Sequence, residues 1–95
     1  MPQTVPEIIA KKIEAEAKRL APLAVIRIDF SNYKNDGVDI YSYAPRKVSD
    51  MLRGRLKGVL DAELRKATGI RARLLMEDIE NMTEEAKKKY GIPVA

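Results

Sequence analysis

Apolar residues recur every three or four positions in two stretches of the chain and every second position in three others. Across residues 45–67, Val48, Leu52, Leu56, Val59, Leu60, Leu64 and Ala67 fall on one face of a long helix. Thr68-Gly69 ends it, because glycine takes the left-handed C-terminal conformation without a Cβ penalty. Ile70, Ala72, Leu74 and Met76 then alternate with Arg71, Arg73 and Leu75, which is the period of a strand. Upstream, Ile9, Ile13, Ala17 and Leu20 mark a first helix. Thr4 with Glu7 three residues later forms its start signal, Pro6 is tolerated in its first turn, and Pro22 ends it. Residues 23–30 and 38–43 read as two strands, joined by a polar turn whose Asp36-Gly37 pair signals a hairpin. Beyond Met76, an acidic link through Glu77, Asp78 and Glu80 precedes a short helix capped by Thr83 and stopped by Gly91. Residues 91–95 are expected to form a loose tail.

The order helix, strand, strand, long helix, strand, short helix predicts an α+β fold. It is a two-layer αββαβ sandwich plus a short C-terminal helix, its three-stranded sheet carrying helices on one face. Ninety-five residues suit a single domain, 1–95. The covered sheet face then carries Ala24, Ile26, Ile28, Phe30, Val38, Ile40, Ile70, Ala72, Leu74 and Met76. The other face carries Val25, Arg27, Tyr41, Tyr43, Arg71, Arg73 and Leu75, and only the last helix is left to cover it. Gly54 and Gly58 lie four apart in the long helix, followed by Ala62. Each glycine costs about 0.8–1 kcal/mol relative to alanine in a helix interior, so the pair calls for a reason. One reason is a small-residue ridge that lets the first helix approach through Ala10, Ala17 or Ala21. The other is a break at 54–58. The apolar stripe passes through this stretch in phase, which favours a continuous helix and the ridge.

Composition narrows the chemistry. There is no Cys and no His, which removes disulfides, thiolate nucleophiles, the usual zinc and copper ligands and the Ser-His and Cys-His catalytic pairs. No glycine-rich phosphate loop or nucleophile elbow is present. The chain is therefore expected not to be an enzyme and to need no metal or cofactor. Glu77, Asp78 and Glu80 read as a solvated acidic loop rather than a Mg²⁺ site, and Lys11, Lys12, Lys18 and Arg19 as a solvated helix face rather than a phosphate-binding flank. No apolar run of about 18 residues predicts a membrane span, and residues 1–6 lack a basic-then-apolar signal, so a cytoplasmic location is expected. The net charge of +4 favours acidic partners.

Over residues 6–76 the order of elements resembles the type II K-homology (KH) domain. Leu64 to Ile70 is similar to that family's helix end, where an apolar residue leads to Thr-Gly and a final strand. The resemblance implies binding of single-stranded RNA or DNA, whose backbone KH domains clamp on a GxxG loop. The chain departs from the motif: Gly54 and Gly58 enclose three residues, and counting back from Thr68-Gly69 the first motif glycine falls on Arg55. A KH-like domain without the clamp is what the resemblance leaves. Tyr43-Ala44-Pro45 is similar to the turn that leads into the long helix of the amino-terminal interaction domain of bacterial replication initiators. Thr68-Gly69-Ile70 resembles the alkaline-shock-protein family, and ring-building modules of secretion systems share the same order.

Two functional readings follow for the uncovered face. In the first, Tyr41 and Tyr43 stack bases of single-stranded nucleic acid while Arg27, Arg71 and Arg73 meet phosphates or bases. In the second, the same side chains with Val25 and Leu75 bury against a protein partner or a second copy of the chain. A third possibility is an inert face with its arginines paired to Asp29 and Asp39. The basic charge favours nucleic acid.

Overall fold

The computed structural model describes residues 3–93. Helix α1 spans Val5–Leu20 and begins as the sequence predicts, with the Thr4 Oγ1 accepting from the Glu7 amide at 3.3 Å. Ile9, Ala10, Ile13 and Ala17 form its buried stripe. Strand β1 is Val25–Asp29 and β2 is Gly37–Ala44. Helix α2 runs without a break over Arg46–Lys66, followed by β3, Arg71–Asp78. A single 3-10 turn, Ile79–Asn81, leads to α3, Glu84–Lys89, with Thr83 accepting from the Ala86 amide at 3.1 Å.

The result is an α+β fold whose three-stranded sheet has the order β1-β2-β3. β1 pairs antiparallel with β2, as a hairpin must, and β3 pairs parallel with β2 because α2 carries the chain back across the sheet. β2 is therefore central, and side chains on both of its faces are buried. On the helix side, Val38, Ile40 and Ala44 pack with Ile9, Ile13 and Ala17 of α1 and with Leu52, Leu56 and Leu60 of α2. Lys12 and Glu63 pair across the two helices.

Several expectations need correction. Gly54, Gly58 and Ala62 are not a packing ridge: all three are exposed, and a Cβ built on either glycine meets nothing within 4 Å. The helices pack through the leucine stripe on the opposite side of α2, so the glycines face outward. Phe30 lies on the helix side, beside Ile28 and near Glu7, Ala10 and Lys11 of α1, but is 40% exposed rather than part of the core. β1 stops at Asp29, whose carboxylate accepts the Ser31 amide at 2.8 Å and turns the chain before Phe30 can reach the core. The tail is not loose as far as Pro93. Gly91 takes a left-handed conformation (φ 73°), the Ile92 amide bonds the Lys87 carbonyl at 2.8 Å, and Ile92 is buried beside Tyr43, Pro45 and Ile79. Residues 94 and 95 of that expected tail lie outside the described residues. The short α3 lies at one end of the opposite face, the place the sequence left open for it.

The acidic stretch is not a free loop either. Pro45 offers α2 no side-chain cap, and the Glu80 carboxylate takes that place, accepting the Arg46 amide at 2.8 Å. The Arg46 side chain reaches Asp78 at 3.2 Å and Asn81 at 3.1 Å. The end of β3 is thereby fastened to the start of α2.

Candidate functional site

Strand alternation sends Asp39, Tyr41 and Tyr43 of β2 away from the helices. The register aligns Asp29, Asp39 and Arg73 across the sheet, then Arg27, Tyr41 and Leu75, then Val25, Tyr43 and Glu77. All five residues expected to form the site, Arg27, Tyr41, Tyr43, Arg71 and Arg73, thus fall on one face.

Each of them is already engaged. Asp39 is fully buried at the centre of the first row. Arg73 grips it with two parallel bonds, Nε to Oδ1 and Nη2 to Oδ2, both 2.9 Å. The hydroxyl of Tyr33 donates to Oδ1 at 2.7 Å and the side-chain amide of Asn32 to Oδ2 at 2.8 Å. The Arg73 guanidinium, helped by these two donors against the cost of burial, holds the Asp39 carboxyl well below the usual carboxylate range. Arg71 bonds Asp36 at 3.3 Å and lies 5.2 Å from the Tyr33 ring centre. That ring in turn covers Gly37, where a Cβ would sit 2.3 Å from it, so only glycine fits there.

Arg27 occupies an aromatic slot. Its guanidinium carbon is 3.9 Å from the Tyr41 ring centre and 4.7 Å from that of Tyr90, and its Nε donates to the Tyr43 hydroxyl at 3.1 Å. Tyr43 stacks on Tyr90 at 5.2 Å and is only 3% exposed. This corrects the expectation that Tyr43 presents its ring to a ligand: Tyr90, carried over the sheet by α3, occupies the place a base would take. Tyr41 is half-buried and stacks along the strand on Tyr43 with centres 6.5 Å apart. A shallow cavity of about 390 Å³ remains between Tyr41, Glu77, Thr83, Ala86 and Tyr90.

Sequence reasoning named Asp39 as an arginine partner, which Arg73 bears out, but missed Asn32, Tyr33 and Tyr90 as members of this network. The usable signal was Asp39 itself, a carboxylate in the middle of a central strand, which must find donors. Tyr33 and Tyr90 lie in a turn and at a helix end, where periodicity says nothing about direction. Among the described residues no group of three or more acidic side chains is placed to hold a metal ion, and no helix is long and apolar enough to cross a membrane. Compared with protein-family models, curated proteins and solved structures, the chain matches none.

Proposed function

We propose that the protein is a non-catalytic protein-interaction module rather than a nucleic-acid binder. One observation carries this reading: the three arginines of the sheet face already have partners within the face. A phosphate backbone is bound by cations that release counterions on contact, and Arg73 and Arg71 here face carboxylates instead. Tyr43, one of two stacking platforms that an oligonucleotide would need, is under Tyr90. α2 also lacks an interruption at 54–58 that would offer a backbone clamp. What the sheet still presents is half-buried Tyr41 and Leu75 beside exposed, paired Arg71 and Arg73. Aromatic and arginine side chains around an apolar centre suit a protein surface.

The test is fluorescence anisotropy with a short single-stranded oligonucleotide at two ionic strengths. No saturable binding is expected at about 0.15 M salt. Binding whose logarithmic salt slope is about 2, the value for three phosphate contacts on a single strand, and which falls in Arg71→Ala, overturns the reading.

A further inference from the structure

We infer that the partner is a second copy of this chain, added antiparallel along the free edge of β3 so that two three-stranded sheets join into one. This rests on the interaction-module reading and specifies it. β3 is the longer of the two edge strands, eight residues against five for β1. Its register with β2 is unbroken from Arg71 to Asp78, so no bulge turns the edge away. The Arg71 amide bonds the Asp36 carbonyl on the β2 side. Alternation then points the amides and carbonyls of Ala72, Leu74 and Met76 outward. Among the described residues no backbone group outside the sheet bonds them.

The charges along β3 are sorted. Arg71 and Arg73 occupy its first half, Glu77 and Asp78 its second. Pairing with a parallel copy sets like charges side by side. Pairing with an antiparallel copy sets opposite charges side by side. With Leu75 on the two-fold axis, Arg73 stands opposite Glu77 of the second copy, and Leu74 opposite its Met76. Asp39 holds Arg73 by Nε and Nη2, and among the described residues Nη1 has no hydrogen-bond partner, which leaves it for that glutamate.

The helix layer above this edge leaves apolar surface uncovered. A groove of about 530 Å³ runs between α2 and β3 over Leu60, Leu64, Leu74 and Met76, with Lys57 and Asp61 on its rim. Extending the sheet brings α2 of the second copy alongside, antiparallel. The half-buried Leu64, Leu74 and Met76 become core. A strand of another protein could form the same backbone bonds, but it would not owe its fit to this chain's own order of charges.

Sedimentation equilibrium of the full chain, over roughly 1–100 μM, with amide hydrogen exchange at both ends of the range tests this. The expected mass at high concentration is twice the 10.7 kDa of the chain, with protection of the Ala72, Leu74 and Met76 amides rising as dimer forms. Glu77→Lys, an exposed position with no bond to lose, should weaken association roughly tenfold by opposing Arg73 and leave the circular dichroism unchanged. A monomer throughout overturns the proposal, and so does a dimer whose three edge amides exchange as in the monomer. Neither result touches the interaction-module reading, which falls only to salt-sensitive oligonucleotide binding.

Discussion

Replacing Gly54 and Gly58 together by alanine should stabilise the protein. Both glycines lie inside α2 in ordinary helical conformation, are exposed, and have no atom within 4 Å of the position a Cβ would take. Nothing is overpacked, so the gain comes from backbone entropy lost by the unfolded chain. Each change is worth about 0.8–1 kcal/mol. The two positions share no packing partner, so the sum is about 1.6–2 kcal/mol. At about 4–8 °C per kcal/mol for a domain of this size, Tm rises by roughly 6–16 °C. Urea unfolding checks the free energy and thermal melting by circular dichroism checks Tm. Ala62→Gly, on the same exposed stripe, should shift both in the opposite direction by about 0.8–1 kcal/mol. A double variant that melts at or below the parent refutes the reasoning. It would mean that the outer stripe of α2 is packed after all, as the ridge inferred from its spacing required.

Two further outcomes follow from the polar contacts. Asp39→Asn should destabilise at neutral pH, and the gap to the parent should close in acid. The folded carboxyl is held below its unfolded value of about 3.9, so its contribution is present above that value and is lost as pH falls through the folded one. Urea unfolding at about pH 7 and about pH 2 measures it, and a gap independent of pH would show that Arg73 and Tyr33 do not favour the ionised form. Glu80→Ala should cost about 0.5–2 kcal/mol, the range for loss of an N-cap, because its carboxylate holds the first amide of α2. An unchanged midpoint in urea would mean that solvent caps α2 equally well.

Helices and strands were legible because their evidence is local. The stripe from Val48 to Leu64, the alternation from Ala72 to Met76 and the caps at Thr4 and Thr83 depend on neighbours a few residues away. The division of the sheet into two faces followed from strand period alone, and it placed Arg27, Tyr41, Tyr43, Arg71 and Arg73 together. The continuity of α2 through Gly54 and Gly58 was likewise readable, since helical phase survives two glycines.

What those residues touch was decided by tertiary structure. A glycine pair signals small size in the sequence, but whether it faces a neighbour or water depends on which stripe of α2 is turned to the sheet, and the leucines claim that side. A tyrosine on an open face looks available until the chain some forty-seven residues later returns Tyr90 over Tyr43. Asp39, Arg73 and Tyr33 come from a central strand, an edge strand and a turn, and Glu80 caps a helix that starts thirty-four residues before it. Periodicity reports which side a residue lies on. Hydrogen bonds, ion pairs and stacked rings are set by distances between segments far apart in the chain, and only the packed fold determines those.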